Sequence, residues 1–268
     1  MSMTRNGRDG AGRWMPGHSG NPETQFKPGN SGNPKGRGTW KRALTPRGQA
    51  KTGPEYNQLA SYRPYAKQID FHAAGKEYDE RLLMAGNQLG KTLAGGMEWA
   101  MHLTGRYPDW WTGHVFNKPV RLWASGVTAE STRDNPQRVL VGSPPQKETW
   151  GTGTIPRDAL KRTTLSHAGT DMVDMVVVRW GGGGDVQQGE SVLAFKSYEK
   201  GRQKWQGETL DGVWFDEEPP LDIYSEGKTR CQAKNGIVII TFTPLLGMTD
   251  VVKLFLGEAD IEKMRRGP

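Results

Sequence analysis

The sequence predicts an α/β domain with a largely parallel, doubly wound sheet, preceded by a basic tail. Three observations predict it. From about residue 56 onward, short apolar segments typical of buried strands alternate with stretches of helical spacing. One of these strands runs through a turn into Gly90-Lys91-Thr92 and then a helix. Another ends in two adjacent carboxylates, Asp216 and Glu217. A length of 268 residues, 34% hydrophobic and 24% charged, suits one large α/β domain, or one domain plus a tail.

Residues 1–55 read as a tail. Ten of the first 50 residues are Gly, and Pro, Asn and Arg fill much of the rest. Such a composition cannot bury enough apolar surface to offset its ordering entropy, so disorder is expected. The same 50 residues hold nine Lys/Arg against two Asp/Glu, whereas the remainder holds 27 of each sign. The whole net charge of +7 therefore belongs to the tail. A short repeat lies within it: Pro16 to Pro22 (PGHSGNP) recurs as Pro28 to Pro34 (PGNSGNP), each after an aromatic, Trp14 or Phe26. The tail reads either as a solvated linker or as a docking or nucleic-acid-binding arm.

The ordered domain is expected over 56–250. A helix starts after Pro64 and carries Gln68, with Tyr65 and Phe71 beside it. Gln68 can offer a donor and an acceptor to an adenine edge, and either aromatic could stack on the base. Leu82-Leu83-Met84 forms a strand, and Leu93, Met97, Ala100 and Met101 give the following helix its apolar face. Residues 105–119 read as a loop with buried aromatics. Val120 to Ala124 is a strand, and Thr128 to Leu140 a helix capped by Thr128 or Ser131. Residues 142–170 read as mostly loop. Met172 to Trp180 is a β-branched strand ended by Gly181 to Gly184, which opens no helix and so reads as a turn. Ser191 to Tyr198 alternates as a strand, Val213-Trp214-Phe215 is a buried one stopped by Pro219-Pro220, and Ile237 to Thr241 is nearly all apolar. A short helix is expected within the last residues, 251–268, with Asp250 at its start.

The chemistry gathers at the strand tips. Backbone N–H groups of Gly86, Asn87, Gln88, Leu89 and Gly90, with the helix N-terminus, would hold phosphate charge. Lys91 would reach the outer phosphates of ATP, and Thr92 would hold Mg²⁺. Asp216 would orient the Mg²⁺ and its water, Glu217 would polarise the attacking water, and Thr243 would sense the γ-phosphate. The loop departs from the usual G-x-x-x-x-G-K-[ST] spacing, with Ala85 where Gly is expected and Gly86 one step later. The lone Cys231 excludes an internal disulfide framework, fits a reducing cytosol, and on its polar stretch reads as incidental. The five His residues show no metal-ligand spacing. No apolar run reaches about 18 residues and residues 1–20 have no apolar core, so neither a membrane helix nor a signal peptide is expected.

Taken as an ordered set, NQLGKT (87–92), FKSYEKGRQKWQGETLDGVWFDEEPP (195–220) and TFTP (241–244) resemble the ATPase half of phage terminase large subunits, from about Tyr62 to Asp250. The resemblance implies a P-loop NTPase fold of the additional-strand, catalytic-glutamate type. It implies double-stranded DNA as the moved substrate, a portal and procapsid, a small terminase subunit, a homo-oligomeric ring, and action in the host cell cytoplasm away from any membrane. The segment FKPGNSGNPKGR (26–37) is similar to a motif at the start of many small-terminase-like proteins. Two positions depart from the family: Asn87 and Gln206 stand where many members carry Arg. Arg202 is the first candidate to replace the missing charge, with Arg133 and Arg138 behind it. The family's second half is a nuclease, and the 24 residues after Pro244 are too few for one, so no DNA cleavage is expected of this chain. Two other readings compete with the motor. A helicase would need a second motor half and a kinase an Arg-rich lid, neither of which the sequence offers. A non-hydrolysing portal- or DNA-binding remnant is argued against by intact Lys91, Thr92, Asp216 and Glu217.

Overall fold

A computed structural model of the chain describes residues 57–144, 149–165, 171–181, 188–244 and 249–256. The basic tail and its repeat lie outside the described residues, as do Gly182 to Gly184 and everything beyond 256. All described residues belong to one compact unit, Ala50–Pro268.

Two helices, α1 (Gln58–Ser61) and α2 (Ala66–Ala74), lead into strand β1 (Glu80–Met84) and then helix α3 (Lys91–Thr104). Strand β2 (Arg121–Gly126) is followed by one helical stretch in three parts: α4 (Ala129–Thr132), a π turn (Arg133–Gln137) and α5 (Arg138–Val141). Pro136 sits in the π turn. Its missing N–H cannot join the ordinary helical ladder, and the wider turn absorbs the break. Thr128 caps the stretch as expected, accepting from Ser131 N at 3.0 Å. Strands β3 (Leu160–Leu165), β4 (Val173–Trp180) and β5 (Gly189–Ser197) follow, then two 3-10 turns (Tyr198–Lys200 and Arg202–Trp205). Strand β6 (Gly212–Asp216), helix α6 (Leu221–Gln232), strand β7 (Ile237–Phe242) and helix α7 (Asp250–Phe255) complete the described chain.

The seven strands form one sheet in the order β1-β7-β6-β2-β5-β4-β3. The first five run parallel, and β4 and β3 extend the sheet as an antiparallel edge. Parallel strands covered on both faces are nearly continuous apolar runs. Every residue of β6 and of β7 is buried. Successive side chains on these strands enter two separate cores. Leu122, Ala124, Trp214, Ile237 and Ile239 pack with Met97, Trp99 and Leu103 of α3. Trp123, Val213, Phe215, Val238 and Ile240 pack with Ile223 and Tyr224 of α6. That period of two is the signature of a doubly wound sheet.

Two elements were not anticipated. The described part of 142–170 is mostly loop, but it holds β3, which pairs with β4 from Leu160 to Leu165. The segment LKRTTL has no apolar alternation and four exposed residues, so the neighbouring strand, not its own pattern, makes it β. Helix α6 was not anticipated. Pro220 both ends the strand segment and stands at the N-cap of α6, whose buried positions are sparse: Ile223, Tyr224, Glu226, Gly227 and Cys231. Cys231 is 2% exposed, and burial, helped by Asp211 and Glu80, pushes its thiol up to about 12. It is a packed apolar group without nucleophilic character at neutral pH.

Close packing of α3 on the sheet depends on Gly95. A Cβ there would lie 2.6 Å from the Trp214 ring. Behind α3 the core encloses charge. Glu98, fully buried, accepts from Arg81 at 2.5 and 3.2 Å and meets His72 Nδ1 at 2.7 Å and His102 Nε2 at 3.4 Å. Burial opposes the charge, but Arg81 and the two imidazoles hold the Glu98 carboxyl well below the usual carboxylate range. Burial pushes His102 down in turn. Among the described residues no helix is long and apolar enough to cross a membrane.

Candidate nucleotide site

β1 is an edge strand of the sheet whose carboxyl end delivers the loop 85–90 to the N-terminus of α3. Gln88 (φ 62°) and Gly90 (φ 74°) take left-handed conformations. At Gly90, the N-cap of α3, that conformation turns the chain into the helix and leaves its first N–H groups without helical partners. Lys91 is 8% exposed and its Nζ donates to Gly86 O at 2.8 Å, so the ammonium lies across the loop. The loop is tied to β7 by Thr243, whose Oγ1 donates to Asn87 Oδ1 at 2.8 Å.

The tip of β6 lies beside the loop. Asp216 Oδ1 accepts from Thr92 Oγ1 at 2.9 Å and from Thr241 Oγ1 at 2.8 Å. Burial pushes the Asp216 carboxyl up to about 7, the two hydroxyls and Lys91 pulling it down and Glu217 adding to the rise. Thr241 is itself fixed by Trp214 Nε1 at 2.8 Å. Glu217 stands at φ 71°, a strained conformation for a residue with a side chain. Its backbone is held on both sides: its N–H donates to Thr241 O at 2.8 Å, and its carbonyl accepts from Tyr198 Oη at 2.7 Å. Its half-buried carboxylate has no hydrogen bond or ion pair among the described residues. Strain kept at a strand tip, with the side chain left free, is an arrangement found where a carboxylate must face a reactant.

Residues 82–266 match the family described as the N-terminal part of the T4likevirus-type terminase large subunit. The chain belongs to that terminase family. Over 210 residues it is 43% identical to the terminase large subunit of Salmonella phage P22, covering 74% of this chain and 42% of that protein. It is 26% identical over 228 residues to the terminase large subunit of Enterobacteria phage LP7, covering 74% and 43%. The chain thus spans less than half the length of the curated relatives it matches. A structure of the large terminase of a thermophilic bacteriophage aligns with a TM-score of 0.43 and 14% identity, covering 76% of this chain and 50% of that one. The same large terminase in complex with ADP gives 0.42 and 15%, with the same coverage.

Within this terminase domain, Lys91, Thr92, Asp216, Asn87 and Thr243 converge as the strand tips dictate. The other candidates are placed elsewhere or otherwise occupied. Arg202 lies on the second 3-10 turn, where its Nε donates to Glu226 Oε2 of α6 at 2.8 Å. Arg133 pairs with Asp134 at 2.8 Å, and Arg138 is exposed. Phe71 is buried under the Arg81 guanidinium, 5.0 Å from ring to cation, which leaves exposed Tyr65 as the aromatic able to stack on a base. Gln68 is 5% exposed and bonded within the protein. Tyr198 and Thr241 were missed by the sequence reading. Thr241 carried a faint signal as the one polar residue of an apolar strand, while Tyr198 carried none. A cavity of about 560 Å³ shares Tyr198 and Glu218 with the β6 tip, but no residue of the phosphate loop lines it.

Proposed function

We propose that this chain is the ATP-hydrolysing motor part of a phage terminase, driving double-stranded DNA into a procapsid. The observation that carries the reading is the contact of Thr92 with Asp216 at 2.9 Å beside Lys91, next to a strained, unpaired Glu217. Family membership adds to it. Backbone N–H groups of Gly86 to Gly90 and the start of α3 would cradle the phosphates. Lys91 would exchange its bond to Gly86 O for the β- and γ-phosphate oxygens. A hydroxyl and a carboxylate oxygen side by side suit Mg²⁺, a hard ion that takes oxygen ligands, so Thr92 and Asp216 would hold it. The bound ion would neutralise charge developing on the phosphates. Glu217 would orient and polarise the attacking water. Thr243, reaching Asn87 in the loop, would report the γ-phosphate to β7. The other partners would be the portal, a small terminase subunit and further copies of this chain in a ring. The +7 charge of residues 1–50 suits a polyanion such as DNA.

ATP hydrolysis by the purified chain, with and without linear duplex DNA and portal, tests the proposal. Turnover that rises with DNA is expected. Lys91→Ala is expected to weaken nucleotide affinity by about tenfold to a hundredfold, since it removes a charged hydrogen bond to phosphate. Wild-type turnover in Lys91→Ala would show that the phosphates bind elsewhere.

The raised pKa of Asp216 gives a pH dependence. Holding Mg²⁺ requires the carboxylate, and below about 7 the proton competes for it. The gain in ATP affinity on adding Mg²⁺ is therefore expected to shrink by roughly tenfold between pH 8 and pH 6. Titrations with and without Mg²⁺ at each pH, repeated on Asp216→Asn, separate this from protonation of the nucleotide, which weakens its own Mg²⁺ complex. An Mg²⁺ gain independent of pH would remove Asp216 from the metal site.

A further inference from the structure

We propose that Tyr198 is a positioning residue for hydrolysis: its hydroxyl, bonded to the Glu217 carbonyl, fixes the backbone that aims the Glu217 carboxylate. This rests on the reading of Glu217 as the residue that polarises water. Glu217 stands at φ 71°, a conformation that a residue with a side chain keeps only when its surroundings impose it. On one side its N–H donates to Thr241 O at 2.8 Å and extends the ladder between β6 and β7. That bond fixes only the peptide before Glu217. Rotation about N–Cα swings Cβ and the carbonyl together, and it must be stopped from the other side. Glu218 is anchored there through its carboxylate to Thr249 Oγ1, several rotatable bonds away from the peptide it shares with Glu217.

Tyr198 supplies the direct stop. Its Oη donates to Glu217 O at 2.7 Å, while Asp216 O stands farther off, at 3.2 Å. A phenol has one proton, and the nearer carbonyl takes it. Burial, with the charges of Asp216 and Glu217, pushes the phenol well above its usual range, so the hydroxyl stays a donor at any working pH. The ring is placed without the hydroxyl's help. Tyr198 follows β5, and β2 lies between β5 and β6 in the sheet. The ring sits 6.1 Å from those of both Trp205 and Phe215, and Phe215 belongs to β6 and stacks on Trp205 at 5.4 Å. Aromatic packing thus carries the phenol to the β6 tip, and its polar end finds a partner there. Tyr198→Phe keeps that packing and removes the one bond. Tyr198 also lines the cavity of about 560 Å³ beside the tip, so water can reach the freed carbonyl and the fold loses little.

ATP affinity and single-turnover hydrolysis, both with Mg²⁺, are measured on the full chain, Tyr198→Phe, Glu217→Ala and the double variant. Tyr198→Phe is expected to bind ATP within about threefold of wild type. It is expected to hydrolyse that ATP on the order of tenfold more slowly, because the carboxylate is no longer held at its angle. In Glu217→Ala no carboxylate is left to aim, so adding Tyr198→Phe is expected to change the residual rate by less than about twofold. A tyrosine that only supports the fold would slow both backgrounds by the same factor, and that result would overturn the inference. So would a Tyr198→Phe rate equal to wild type, or a loss of ATP affinity as large as the loss of rate. Hydrolysis by Glu217→Ala at the wild-type rate, or none by the wild-type chain, would instead overturn the reading of Glu217 itself, and the inference with it.

Discussion

Glu217→Gln is expected to bind ATP and keep it. The amide has the shape of the carboxylate, and the Glu217 backbone is held by Thr241 and Tyr198 whatever the side chain is. In the proposed site the phosphate contacts come from Lys91 and the loop, so affinity is expected to stay within about threefold of wild type. Hydrolysis is expected to fall by roughly 10² to 10⁴, the usual contribution of a positioned general base. Nucleotide affinity and single-turnover hydrolysis, measured side by side, decide it. Lost affinity with normal hydrolysis of whatever binds would place Glu217 in the binding site and leave the base unidentified.

Arg81→Ala is expected to cost about 3–5 kcal/mol of stability, because it leaves Glu98 as a buried charge without its strongest partner. For a domain of this size that is a fall of roughly 6 to 20 °C in Tm. The penalty has a pH signature. In the wild type Arg81 and the imidazoles hold the Glu98 carboxyl well below its ordinary value. Its stabilisation is therefore present at neutral pH and is lost only as pH falls through that depressed value. Without Arg81, burial raises the pKa, the carboxyl takes up a proton in mild acid, and the gap between variant and wild type narrows as pH falls. The double variant Arg81→Met, Glu98→Gln removes both charges and is expected to recover much of the loss. Denaturant unfolding at pH 8 and pH 5 measures all of this. A single variant within about 1 kcal/mol of wild type would mean that the network does not stabilise the domain.

The parallel strands were legible because each sits between two layers and so spells its own burial. Ile237 to Ile240 is apolar on both faces, and no exposed reading accommodates it. The loop before α3 and the acidic strand were legible for a related reason: the residue types that mark them stand next to one another in the chain. Strand β3 was illegible because LKRTTL owes its conformation to pairing with β4. Helix α6 was illegible because only one side of it is buried and the polar residues of LDIYSEGKTRCQ dilute its period. Arg202 shows the limit for single residues. Its place in the motif suggested a charge for the nucleotide, while Glu226, 24 residues later in the chain, takes its guanidinium.

The sequence by itself determined the order of the five parallel strands along the chain, the loop that leads into Gly90-Lys91-Thr92, and the carboxylate pair at the end of β6. Each depends on near neighbours and on composition that local physics can read. Only the tertiary structure decided what those groups touch. It placed Thr92 on Asp216 across 124 residues, set the Gln68 amide between Gly90 and Tyr65, and set Arg81, His72 and His102 around Glu98 in the core. A polar side chain has several possible partners of nearly equal energy in an extended chain. Folding removes water from all but one arrangement, and a buried group left unpaired costs more than a wrong surface contact ever could.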